Sequence, residues 1–401
     1  MPRSLANVFL IGLACLLSTA CGGGAESGAP VAQSHAPASL LAERVAVVAP
    51  AAVAGGAQAS AGPSSSRADP TQARFNGPQG LASGPDGALF VADTRNYTIR
   101  KITKHGNVTT IAGLAGVPGS ADGSGSNARF TEPRAIAVDA AGTAYVADGS
   151  AIRKISADGM VTTIAGIQGA FGEADGIGAA ARFRAPTGIA VDSKGNVFVV
   201  DPFDFQRRLR KIAPDGAVST FAGGFEGATR IPQDGAGAMA AFIGPTGLAI
   251  DRHDHLYVTD IGLGGITVGN LFDGTAFVRR VTPGAVVKTI AGNVGFTSLP
   301  AGGPLALLSR SHGVVVKSCG TIYATDHFDA GNRVMSVASN GTVSALPLDQ
   351  SKFGALSHLA NGRDDILYAS DRGGHTILKI QGGTVSVLAG ATGVPGSVDV
   401  P

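Results

Sequence analysis

An apolar tract closing on aspartate comes back six times: FVAD at Asp93, YVAD at Asp148, FVVD at Asp201, YVTD at Asp260, YATD at Asp326 and YASD at Asp371. The intervals of 55, 53, 59, 66 and 45 residues have the size of one supersecondary unit. A basic tract follows the aspartate, IRKI, IRKI, LRKI, VRRV and ILKI, with VMSV in the fifth unit. Then comes VTTIAG, VTTIAG, VSTFAG, VKTIAG, VSALPL or VSVLAG, and ahead of each aspartate lies a further apolar run, as in PRAIAVD and PTGIAVD. Each unit therefore holds four short strands cut by turns such as SADG and APDG, with no useful stretch of helical period. A lone sheet of this kind leaves both faces wet, whereas sheets packed in a ring bury them. The pattern predicts an all-β fold, a six-bladed β-propeller of four-stranded antiparallel blades, over residues 71–401.

The repeats resemble the NHL family on VADTRNYTIRKI (Val91 to Ile102) and on the connector DGSGSNARFTEP (Asp122 to Pro133). The resemblance covers Ala73 to Gly390, strongest in units one to four. It implies a scaffold rather than an activity, because sites are grafted onto such folds. GATGVPGSVDV at the C-terminal end matches the internal connector GLAGVPGSADG, and QARF (Gln72 to Phe75) matches NARF (Asn127 to Phe130). First and last blades are expected to carry their own four strands and to close by face packing, without strand exchange. The six aspartates play one structural role six times, accepting hydrogen bonds from nearby backbone or from the basic strand.

Ahead of the repeats, MPRSLANVFLIGLACLLSTAC carries Arg3, an apolar run from Val8 to Leu17 and small residues up to Cys21. The run is too short to span a bilayer and fits a secretory signal. Its end, LLSTAC, resembles the lipobox of bacterial lipoproteins, although Ser18 stands where leucine is commonest. The resemblance implies a signal peptide over 1–20, lipid attachment at Cys21 and, with Gly22 following, an outer-membrane lipoprotein facing periplasm or cell surface. A soluble periplasmic or secreted protein cut after Ala20 is the alternative. Residues 21–70 are rich in Ala, Gly, Ser and Pro, the composition of a flexible, disordered linker. Cys15 leaves with the signal and Cys21 takes the lipid, so Cys319 has no intramolecular partner; its apolar neighbours in GVVVKSCGTIY suggest a buried strand or turn residue.

Function has to sit where the repeat is broken or where side chains face the channel. The middle residue of the PxG step at the head of each inner strand should point at the channel mouth: Gln79, Arg134, Thr187, Thr246, His312 and Ser357. Four histidines, His312, His327, His358 and His375, map to that mouth in units five and six, and imidazoles around a pore can hold a divalent ion such as Zn or Ca. Gluconolactonase-like lactonases and amidating lyases, similar in overall plan, hold metals there, but the carboxylate and asparagine ligands of the first find no match that can be placed, and for the second His312 and His327 come from one blade and their partners from its neighbour, a lopsided ring. DRHDHL (Asp251 to Leu256) aligns with hairpin turns on the opposite face and reads as turn chemistry. DGSGSN lacks the closing glutamate of a calcium loop. The insertion at 261–277, with Leu271, Phe272 and Phe277, should overhang the mouth as a ligand contact, a lid or an extended hairpin. GLGG within it opens no helix, so phosphate binding is unsupported.

A formal net charge of +2 without a Lys/Arg cluster argues against nucleic acid. The expectation is an envelope-tethered scaffold that needs no cofactor and binds an unknown envelope protein or small ligand through the mouth. The alternative is a metal-dependent lactonase or lyase using the histidines of units five and six.

Overall fold

Alternating apolar side chains and glycine turns build six antiparallel sheets in a computed structural model that describes residues 69–202, 207–224, 232–261, 276–292, 312–328 and 331–401. Residues 1–68, and with them the expected signal peptide, Cys21 and nearly all of the expected linker, lie outside the described residues. No described helix is long and apolar enough to cross a membrane.

Blade 1 shows the pattern: Leu81–Ser83, Leu89–Asp93, Thr98–Ile102 and Val108–Ala112 pair in sequence order from the channel outward. The inner strands of blades 2 to 6 are Pro133–Val138, Gly188–Val191, Pro245–Ile250, Val314–Val316 and Leu356–Asn361. Each touches the next, and the last touches Leu81–Ser83, so the ring is closed. Six apolar clusters lie one at each blade interface. Between blades 1 and 2, for example, Phe90, Ile99 and Phe130 meet Ile136, Val146 and Ile155, all buried.

The sheets are not all four-stranded as expected. Connector pairs Gly123–Ser124, Gly176–Ile177 and Gly235–Ala236 each add a fifth strand to the outer edge of blades 2, 3 and 4. The cause is a second recurring aspartate, Asp122, Asp175 or Asp234, beside each pair. Asp122 accepts from Thr163 N and Oγ1 of the outer strand (3.0 and 2.9 Å) and pairs with Arg153 (2.7 Å).

The same device closes the ring, which corrects the expectation of closure by face packing alone. Val400 bridges Val108 in the outer strand of blade 1, with N···O distances of 2.6 and 2.7 Å. Asp399 stands where Asp122 stands, on Thr110 and Arg100. Arg74 N donates to Val398 O and Gly396 N to Phe75 O, copies of the Arg129–Ala121 and Gly119–Phe130 bonds. The first and last blades do keep four strands of their own.

Candidate functional site

The six repeated aspartates are buried, and Asp93, Asp148, Asp201, Asp260 and Asp371 accept from connector N–H groups. Asp148 accepts from Thr131 N and Glu132 N (2.8 and 2.7 Å), while Arg153 Nη1 reaches its other oxygen at 3.1 Å. That guanidinium is fully buried, stacks 5.2 Å over Phe130 and also donates to the carbonyls of Arg129 and Ala121. Arg100, Arg210 and Arg279 stack on Phe75, Phe183 and Phe242 in the same way. Burial pushes the Asp93 and Asp148 carboxyls up to about 6, against the pull of their arginines and backbone N–H groups. Blades 5 and 6 break the rule. Met335 and Leu378 occupy the arginine position, so the basic residue of ILKI, Lys379, lies beside that position and not at it. Asp326 instead takes Arg333 at 2.5 Å, and Asp371 accepts from the N–H groups of Gly354, Ala355, Gly373 and Gly374. The aspartates hold connectors to blades, as the sequence predicts.

The mouth positions divide in two. Gln79, Arg134 and Thr187 are half-buried and His312 is exposed, but Thr246 and Ser357 are buried. Thr187 Oγ1 donates to Thr246 O at 2.9 Å, and Thr246 Oγ1 lies 3.3 Å from Thr259 O, so two hydroxyls are spent stitching inner strands. Arg134 pairs with Glu132 at 2.9 Å. Such a half-exposed pair contributes little stability, leaving both groups ready to meet a partner.

In blades 3, 4 and 5 the inner strands approach closely enough to demand glycine at the third position of PxG. A Cβ on Gly247 would overlap His312 O, one on Gly313 would overlap Ser357 O, and one on Gly188 would lie 2.9 Å from Thr246 O. In blade 6 this position is His358. Its Nδ1 lies 3.2 Å from Ser357 Oγ, and its Nε2 is buried with no hydrogen-bond partner among the described residues. Burial drives the imidazole down to about 4, and the backbones of Thr187 and Gln79 only partly oppose this. The ring is therefore neutral at physiological pH and faces the head of the channel.

His375 is engaged elsewhere. His375 sits at φ 59° and its Nδ1 accepts from Gly77 N at 3.0 Å, a link between blades 6 and 1. His327 belongs to the strand Ile322–Phe328, with its side chain outside the described residues. Among the described residues, no group of three metal-ligating side chains forms at the mouth. The one that forms, Asp251, His253 and His255, lies on the opposite face.

Two further expectations change. Phe277 is fully buried in the strand Ala276–Val281, paired with Asp260, so it is neither a ligand contact nor a lid; Leu271 and Phe272 lie outside the described residues. Cys319 is exposed, because it sits at the tip of the turn after Val314–Val316.

Sequence reasoning missed a feature of the mouth face. The connector turns after blades 6, 1 and 2 pack on the loops that follow the aspartate strands, through Gly393 N to Gly374 O, Gly116 N to Asn96 O and Ser150 Oγ to Ile167 O. They present Val394, Leu114, Val117, Ile167 and Phe171 to solvent, with Phe171 68% exposed. Three neighbouring blades thus carry an apolar arc on one rim. The signal was legible in the aligned connectors, where Leu114 and Ile167 share one position and Val117 and Val394 another.

Comparison with known proteins supports the architecture. The NHL repeat model matches residues 75–102 and the teneurin NHL domain model matches residues 118–174. No curated protein matches the chain at significance. Among solved structures, a protein of unknown function from Bacteroides thetaiotaomicron is 15% identical with a TM-score of 0.52, covering 79% of this chain and 70% of that one. A gluconolactonase from Xanthomonas campestris is 16% identical at 0.50, covering 79% and 87%. A streptogramin B lyase is 14% identical at 0.47, covering 79% and 84%. Likeness at these identities extends to the fold alone.

Proposed function

The chain belongs to the NHL-repeat β-propellers, and from that premise we propose that it is a binding scaffold of the cell envelope, tethered through Cys21 and engaging a partner protein with its mouth face. The observation that carries this reading is the apolar arc of Val394, Leu114, Val117, Ile167 and Phe171. Exposed apolar side chains clustered on one face, next to half-exposed charges such as Arg134 and Glu132, have the make-up of an interface core with a polar rim. The partner's matching chemistry is an apolar surface bordered by acidic and basic groups. Two hydroxyls at the mouth positions, those of Thr187 and Thr246, are already committed to neighbouring strands and not to a small polar ligand.

The test is capture from an envelope extract by immobilised protein, comparing the wild type with Phe171→Asp and Leu114→Asp. Both positions are exposed turns, so the variants should fold. The reading requires a discrete partner that both variants lose and that Met239→Asp, an exposed site on another connector, retains. A capture profile identical in all four proteins would refute it.

One observation favours a second reading, a hydrolase or lyase of the lactonase type: the neutral His358 imidazole, whose buried Nε2 has no hydrogen-bond partner among the described residues. A neutral imidazole can act as a base or hold a metal. Turnover of simple lactones that His358→Gln abolishes would move this reading ahead of the scaffold.

A further inference from the structure

The turn that joins Pro245–Ile250 to Leu256–Ile261 lies at the end of blade 4 away from the mouth. In blades 2 and 3 the same turn reads DAAGT and DSKGN. One oxygen of Asp139 or Asp192 caps the turn, and a glycine holds the left-handed position, Gly142 at φ 83° and Gly195 at φ 79°. Blade 4 keeps the cap: Asp251 Oδ1 accepts from His253 N and His255 N at 2.8 and 2.9 Å. It also keeps the contact to the second oxygen, which Asn196 Nδ2 makes to Asp192 at 2.7 Å in blade 3, but the side chains that surround it depart from the repeat. His253 stands where Ala141 and Lys194 stand, and His255 where Thr143 and Asn196 stand. Asp254 takes the glycine position at φ 61°, a conformation uncommon for a non-glycine residue. Its two oxygens accept from Ser193 N (2.9 Å) and Ser193 Oγ (2.7 Å), fastening the turn to blade 3.

The cap leaves Asp251 Oδ2 facing the imidazoles. It accepts from Tyr257 Oη at 3.1 Å and lies 3.2 Å from His255 Nδ1. The ligand atoms of Asp251, His253 and His255 all lie within 4.8 Å of one another. We propose that this trio binds a divalent transition ion of the zinc type, with solvent completing the coordination.

Two imidazoles and one carboxylate suit Zn, Co, Ni or Cu, and not the all-oxygen preference of Ca or Mg. With metal bonds of roughly 2.1 Å, a 3.2 Å separation of Oδ2 and Nδ1 subtends about 100° at the ion, between the octahedral and tetrahedral angles. That edge of the site is already formed. His253 is exposed and its ring centroid is 6.2 Å from that of His255, so it closes the third position by side-chain rotation alone. Tyr257 orients the carboxylate from behind, as outer-shell donors do. Binding displaces any proton shared between His255 and Asp251. This site is separate from the mouth and does not depend on the scaffold reading.

Calorimetric titration of the purified full chain with zinc chloride tests the proposal. The expected result is one saturable equivalent, weakened at least tenfold by His253→Ala and by His255→Ala and unchanged in His312→Ala. Asp251→Asn keeps an oxygen for the turn but loses the charge, and should also weaken binding. Titration with Co2+ should give visible ligand-field bands that vanish in the two histidine variants. Absence of saturable binding, or binding that survives in both histidine variants while circular dichroism shows them folded, would overturn it.

Discussion

Replacing His358 by glutamine should change how stability depends on pH. An unfolded histidine takes up its proton near 6.5, whereas folded His358 holds off until about 4. Between these values the unfolded chain binds more protons than the folded one. Stability therefore falls as pH drops through 6.5, and the loss is complete near 4. Each pH unit is worth about 1.4 kcal/mol, so going from pH 7.5 to 5.0 should cost about 2 kcal/mol through this residue. Asp93 and Asp148 act with the opposite sign: raised from 3.8 to about 6, they make the folded state bind protons first and gain stability as pH falls below 6. The wild-type curve alone can thus look flat, and the observable is the difference between two proteins that share both aspartates. Glutamine keeps a polar group beside Ser357 but cannot titrate. The chain has no tryptophan, so urea unfolding is best followed by far-ultraviolet circular dichroism. The wild type should lose about 2 kcal/mol relative to His358→Gln between pH 7.5 and 5.0. Curves that stay parallel across that range would refute the buried, neutral imidazole.

Other perturbations address the frame. Arg153→Leu leaves Asp148 buried without its partner and should cost about 3–5 kcal/mol in urea unfolding, with part recovered by adding Asp148→Asn. Gly247→Ala drives a methyl into the His312 carbonyl at a blade interface and should cost about 1–3 kcal/mol, visible as a lower midpoint. Cys319 is exposed, so it should react with a thiol reagent in the folded protein at a rate close to that of the unfolded chain.

How far the sequence reveals the fold depends on repetition. Six copies of the aspartate strand made blade number and strand order readable, and the local period needed no tertiary information. Ring closure was harder, because Val400 and Asp399 take the places of Gly123 and Asp122, and Val400 pairs across almost the whole chain. The second aspartate was visible in the sequence as DG at Asp122, Asp175 and Asp234, yet only contacts such as those of Asp122 with Arg153 and Thr163 show that it recruits a fifth strand. His358 illustrates what pattern alone obscures. Placing Ser357 at the middle of the PxG step already put His358 at the glycine position, but nothing in the pattern showed that its Nε2 is buried without a partner among the described residues. Likewise the tract ILKI carries a basic residue, but pairing shows Leu378, and not Lys379, at the arginine position. The apolar arc escaped notice because single apolar residues in loops are unremarkable until three blades place them on one rim.

Photo-crosslinking from position 171 tests the scaffold reading most directly. A photoreactive amino acid replaces Phe171, with Cys319→photoreactive residue on the opposite face as the control, and the full-length protein is irradiated in intact envelopes. The account predicts one discrete protein adduct from position 171, absent from position 319 and abolished by adding Leu114→Asp and Val117→Asp. No adduct from position 171, or one that persists unchanged with both aspartates in place, would contradict it.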